Sequence, residues 1–93
     1  MNNLFNLKGK VALITGGNGG LGLAMAEGLA QAGSDIIIAA RDQGKTAEAV
    51  SALKAHGIHA EGITVDVTQE SQIRDMVSKS IDIFGKINVL INN

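Results

Sequence analysis

The sequence predicts an α/β fold: a doubly wound parallel sheet carrying helices on both faces. Three observations predict it. Short apolar, β-branched runs alternate with longer segments of helical period from Lys10 to Asn92. The apolar runs lack strict polar alternation, as expected of strands covered on both faces. The links are short, so each strand returns through its helix, and such crossovers make neighbouring strands parallel.

Each element follows from local chemistry. Lys10–Thr15 (KVALIT) is the first strand, and a glycine-rich loop follows it. Leu21–Gly33 is an alanine-rich helix with Leu21, Met25 and Leu29 at helical spacing, stopped by Gly33. Asp35–Ala40 (DIIIAA) is the second strand. Asp42 is placed to cap a helix over Gln43–His56, with Ala47, Val50 and Leu53 on one face and Gly57 after it. Ile58–Asp66 holds the third strand, centred on Gly62–Val65. Thr68 is the N-cap candidate for a helix whose Ile73, Met76, Val77, Ile81 and Phe84 form the cleanest amphipathic stripe in the chain, ended by Gly85. Lys86–Asn92 (KINVLIN) is the fourth strand, and Phe5 and Leu7 are expected to pack on the sheet edge.

The order is β-α-β-α-β-α-β in one three-layer α/β/α domain over residues 1–93, with no internal linker. In the dinucleotide-binding arrangement the strands lie in the order 3-2-1-4. A doubly wound sheet normally continues into a second half. Without it the fourth strand is an unpaired apolar edge, which invites association. The chain is therefore expected to be the N-terminal half of such a fold, with the substrate-binding and catalytic half absent.

Composition narrows the function classes. A net charge of −1 with no basic run gives no electrostatic footprint for nucleic acid or an anionic membrane. With no cysteine, a disulfide scaffold, a thiolate zinc site and a cysteine nucleophile are excluded. No apolar run is long enough for a signal peptide or a membrane span, so a cytoplasmic protein is the expectation. His56 and His59 are separated by Gly57 and read as surface histidines flanking a helix end, so no metal site is expected. Arg74, Asp75 and Lys79 read as a solvated helix face.

The segment Thr15–Gly22, TGGNGGLG, carries the functional reading. Such a loop between a strand and a helix lets the backbone approach a pyrophosphate that a Cβ would obstruct. The first amides of the helix, at its positive dipole end, then hold the charge. Two registers fit: Gly17-x-Gly19-x-x-Gly22, the dinucleotide pattern, and Thr15-Gly16-x-x-x-Gly20-x-Gly22. The candidate loop contacts are Gly16, Asn18, Gly19, Gly20, Leu21 and Gly22.

In the second register the chain resembles the N-terminal part of the short-chain dehydrogenase/reductase family. Four features carry this resemblance: TGGNGGLG at 15–22, Arg41 after the second strand, Asp66-Val67 after the third, and Ile91-Asn92-Asn93 ending the fourth, which matches the start of the family's N-N-A-G motif. The resemblance implies a Rossmann-like fold and an oxidoreductase interconverting a small-molecule alcohol and ketone with NAD or NADP. It implies that Gly16, Gly20 and Gly22 shape the pyrophosphate turn. It further implies that Asp66 contacts the adenine amino group and the Val67 amide a ring nitrogen. Asn92 and Asn93 then begin the segment lining the cofactor ribose. Many members are homo-oligomers, which the resemblance extends to the parent protein. The runs LFNLKGKVALITG and GLAQAGSDIII are similar to members that oxidise sugar acids such as gluconate derivatives.

The end of the second strand bears on the choice of dinucleotide. A carboxylate there hydrogen-bonds a ribose 2′-hydroxyl and repels a 2′-phosphate. Family members of the NAD type tend to carry their acid where this chain has Ala40, and Arg41 follows. A guanidinium suits a phosphate through bidentate contacts, so NADP is favoured. Asp42 keeps NAD open as the ribose acid if the strand runs one residue further.

One family feature is missing. Members use a tyrosine and lysine spaced Y-x-x-x-K as the acid/base of hydride transfer, helped by a serine and an asparagine. This chain contains no tyrosine. Its five serines fall in or beside the helices, away from the strand ends. No catalytic residue can be assigned within it.

Overall fold

The computed structural model describes residues 6–93. Four strands and three helices alternate: β1 (Val11–Thr15), α1 (Gly20–Gln31), β2 (Asp35–Ala40), α2 (Gln43–Lys54), β3 (Ala60–Thr64), α3 (Glu70–Phe84) and β4 (Val89–Asn92). All strand pairs are parallel, in the order β3-β2-β1-β4. The predicted class and strand order hold.

The central strands alternate their side chains between two cores. Ala12 and Ile14 of β1 and Ile36 and Ile38 of β2 point to one face, where Ala26 and Ala30 of α1 and Leu53 of α2 cover them. Val11 and Leu13 with Ile37 and Ala39 point to the other, under Met76 of α3. This is the period-2 geometry of a strand applied to residues that are apolar on both sides. Two successive crossovers toward β3 put α1 and α2 on one face. The return from β3 past β1 to β4 puts α3 on the opposite one, giving the three layers.

Several local expectations change. The buried residues of α1 are Gly22, Ala26 and Ala30, while Leu21 is 69% exposed. Small residues let that helix lie close to the sheet, and the larger ones flank the contact. In α2 the buried set is Thr46, Ala49 and Leu53, with Ala47 outside. Asp42 caps α2 as expected, its Oδ1 accepting from the Lys45 amide at 3.0 Å. Thr68 does not cap α3. Gln69 holds that position with no side-chain bond, because the Thr68 hydroxyl is committed to Asp66. The fourth strand begins later than expected. The Asn88 side chain accepts from the Val11 amide at 2.9 Å, a bond that would otherwise belong to the ladder.

Phe5 lies outside the described residues. The Leu7 amide donates to the Ala32 carbonyl at 2.8 Å, which places it beside the end of α1. His56 contacts Glu27, and His59 bonds Glu61 at 3.2 Å, so both imidazoles have a carboxylate that spacing alone did not reveal. Arg74 reaches Glu70 at 3.7 Å across one exposed helical turn. Among the described residues no helix is long and apolar enough to cross a membrane.

Candidate functional site

The glycine loop leaves β1 beside the point where the strand order reverses, between β1 and β4. Ligands of open α/β sheets bind outside the carboxyl ends of the strands at such a point. The backbone discriminates between the two glycine registers. Gly16 and Gly20 have φ of +66° and +56°, where a side chain is strained. At Gly22 an added Cβ would stand 2.5 Å from the Gly16 carbonyl oxygen and 2.7 Å from the Asn93 Nδ2. Gly19 is fully extended, with open space around it. Gly22 is common to both registers, and Gly17 is also crowded, a Cβ there standing 2.7 Å from Ile38 Cδ1 and 3.0 Å from Ile14 Cγ2. The positive φ at Gly16 and Gly20 is what singles out the 15–22 register, and the open space at Gly19 agrees with it.

Three ties hold the loop in shape. The Gly16 amide donates to the Ala39 carbonyl of β2 at 2.8 Å. The Asn18 Nδ2 donates to the Thr46 hydroxyl of α2 at 3.4 Å, and Thr46 is buried. The third tie comes from β4. Buried Thr15 donates to Asn92 Oδ1 at 3.0 Å and accepts from the Asn93 amide at 3.1 Å. Asn93 Nδ2 then donates to the Gly16 carbonyl at 3.3 Å. Residues 77 and 78 positions apart therefore meet at the loop entrance.

A cleft of about 310 Å³ opens between this loop and the ends of β2 and β3. Of the sequence-predicted residues, Gly16, Asn18, Arg41, Val67 and Asn93 line it. Thr15, Ala39, Ala40, Asp42, Lys45 and Val65 join them. Gly19, Gly20, Leu21 and Gly22 form the turn and first helical residues beside the cleft, and Asp66 lies at the end of β3 next to Val65 and Val67. Asn92 lines a second, apolar recess of about 210 Å³ with Val67, Ile73, Met76 and Leu90.

Sequence reasoning missed Lys45 and Thr46. Lys45 enters the cleft because α2 starts at Gln43 and its first turn overhangs the end of β2. The Asp42 cap was legible, and a first-turn lysine after it was the available signal.

The electrostatics are mixed. Ala40 closes β2 without a carboxylate, and Arg41 and Lys45 face the cleft with Asp42 as its one acid. Asp66 Oδ1 accepts from the Thr68 hydroxyl at 2.6 Å and the Thr68 amide at 3.0 Å. These donors hold the Asp66 carboxyl below the ordinary aspartate range, and the Arg41 charge adds to them.

A glycine turn at positive φ opening a helix, with a cleft at the parallel strand ends, defines the nucleotide-binding class of doubly wound α/β domains. The chain belongs to the short-chain dehydrogenase family, whose profile matches residues 10–93. It is 44% identical over 92 residues to 2-dehydro-3-deoxy-D-gluconate 5-dehydrogenase of Dickeya dadantii, covering 98% of this chain and 35% of that protein. Among solved structures it is similar to L-sorbose reductase of Gluconobacter frateurii complexed with NADPH and L-sorbose, with a TM-score of 0.92 and 37% identity over 96% of this chain and 34% of that one. An NAD⁺-bound xylitol dehydrogenase superposes with a TM-score of 0.88 and 33% identity over 90% of this chain and 32% of that one. The chain spans about a third of the length of the curated relatives it matches.

Proposed function

We propose that this chain is the N-terminal cofactor-binding part of an NADP-dependent short-chain oxidoreductase that interconverts an alcohol and a ketone. The observation that carries the reading is the cleft at the ends of β1, β2 and β3, bounded by the positive-φ glycine turn and by Arg41. The residues fit the cofactor: a Cβ at Gly19 or Gly20 would project into open space at the start of α1, where the first-turn amides of such a helix hold an anion. Gly16, Gly20 and Gly22 shape that turn, with Asn18, Gly19 and Leu21 around it. Asp66 and the Val67 amide serve the adenine, and Asn92 and Asn93 border the ribose. When bound, the dinucleotide would supply the hydride in its reduced form and accept it in its oxidised form. Arg41 beside the acid-free Ala40 supports NADP over NAD, and so does the end of β2 at Ala40, since Asp42 would serve as the ribose acid only if the strand ran one residue further.

The relatives named for sugar acids, a ketose and a polyol support a polyhydroxylated small molecule as the parent's substrate. The absence of tyrosine supports a second statement: these 93 residues alone bind the dinucleotide without turning it over. Calorimetric titration of the chain with NADP and NAD tests the first reading. NADP is expected to bind at least tenfold tighter, and equal or tighter binding of NAD overturns the preference. Turnover of a carbonyl substrate by the purified chain, free of full-length enzyme, overturns the second.

A further inference from the structure

We propose that Lys45 is a specificity-determining residue of this cleft, a second cation that joins Arg41 on the 2′-phosphate of an NADP-type dinucleotide. The inference rests on the NADP reading above and adds to it a residue from α2, an element that the glycine-loop and strand-end motifs leave out.

Arg41 and Lys45 line the same cleft, and Asp42 is the only carboxylate among the residues lining it. Asp42 Oδ1 already accepts from the Lys45 backbone amide at 3.0 Å. That bond anchors the first turn of α2, and so fixes where the Lys45 side chain starts. The ion pairs among the described residues are His56–Glu27, His59–Glu61 and Arg74–Glu70, and neither Arg41 nor Lys45 takes part in one. Two cations with no carboxylate at ion-pair distance therefore share the edge of a cleft whose strand end, Ala40, supplies no acid, and Arg41 acts on Asp66 only through space.

Charge balance says why two are useful. A phosphate monoester carries about −1.5 to −2 charges near neutral pH, so one guanidinium leaves much of it uncompensated. Arginine contributes directional, bidentate bonds and lysine a mobile point charge on a flexible stem, so the two act together without competing for one geometry. A ribose 2′-hydroxyl gives a lysine no comparable partner. Lys45 thus acts on the difference between the two dinucleotides and leaves the pyrophosphate and adenine contacts alone.

The test is calorimetry of the chain with NADP and NAD at low ionic strength, for the native sequence and for Lys45→Met, Lys45→Arg and Arg41→Met. Methionine keeps a long unbranched stem and good helix propensity, and the Lys45 backbone bond to Asp42 survives the change. Lys45→Met is expected to weaken NADP about tenfold and leave NAD within twofold. Lys45→Arg is expected to restore most of the loss. A Lys45→Met chain that keeps its NADP affinity, or loses NADP and NAD equally, overturns the role of Lys45. If Arg41→Met abolishes the preference in that same series, the NADP reading stands without Lys45. A native chain that binds neither dinucleotide, or prefers NAD, overturns both.

Discussion

The centre of the sheet and its β4 edge are finished to different degrees. In β1 and β2 nearly every side chain is buried, on both faces. In β4 none is, and Leu90 is 60% exposed. The helix over that edge repeats the contrast: α3 buries Met76 and Ser80 but leaves Ile81 45% and Ile83 46% exposed. The strand sequences look equally apolar, so composition does not set the difference. Position does. A strand between two neighbours and two helical layers is dry, and an edge strand is not. The candidate site sits at the seam. Its glycine loop is built by the buried centre, yet Asn92 and Asn93 reach it from the exposed edge.

The largest expected effect breaks this comparison directly. Leu13 is fully buried, so Leu13→Ala loses its transfer free energy and leaves a cavity, costing about 2–5 kcal/mol. Leu90→Ala on β4 is expected to cost no more than about 0.5 kcal/mol. Urea unfolding of both variants, with unchanged m-values, is the measurement. Equal losses at the two positions sink the contrast, since Leu90 would then be covered in solution.

A smaller effect separates two glycines of one loop. Gly22→Ala forces a methyl group to within 2.5 Å of the Gly16 carbonyl oxygen, against the strand-end tie from Asn93. Such overpacking costs about 1–3 kcal/mol. Gly19→Ala meets open space in an extended backbone, and the poorer capping of α1 by alanine offsets what the unfolded chain contributes, so the change is expected to stay within about 1 kcal/mol of neutral. Thermal melts of the two variants side by side decide it. A Gly19→Ala chain destabilised as much as Gly22→Ala would show that the other glycine register governs the loop.

The sequence was legible where one residue type has one reason to be there. Runs such as DIIIAA and stops such as Gly33, Gly57 and Gly85 placed the strands and helix ends, because a buried strand and a left-handed stop each admit few residue types. The helix faces were less legible. Large apolar residues at Leu21, Met25 and Leu29 marked a stripe, but close packing on a sheet favours the small side chains of Gly22, Ala26 and Ala30. The site divides the same way. Gly16, Gly20 and Gly22 are written in a local motif. The Asn18–Thr46 bond joins positions 28 apart, and Lys45 depends on where α2 begins relative to the end of β2. Such contacts arise only once the crossovers are in place.

The smallest effect is a titration at the rim of the site. Asp66 is held below the ordinary aspartate value of 3.8, first by the Thr68 hydroxyl, then by the Thr68 amide, with Arg41 adding its charge. A depressed folded-state pKa contributes stability above the unfolded value. That stability is lost as pH falls through the folded one, so the window lies below about pH 3.8. Thr68→Val removes the hydroxyl donor at 2.6 Å and keeps the amide. The Asp66 carboxyl, followed by NMR, is expected to titrate higher in that variant, still below the ordinary value. Arg41→Met should move it in the same direction by less. If Arg41→Met moves it further than Thr68→Val, the charge across the cleft governs Asp66. Its carboxylate would then belong electrostatically to the buried centre that carries Arg41, and the loop after β3 would be a spectator.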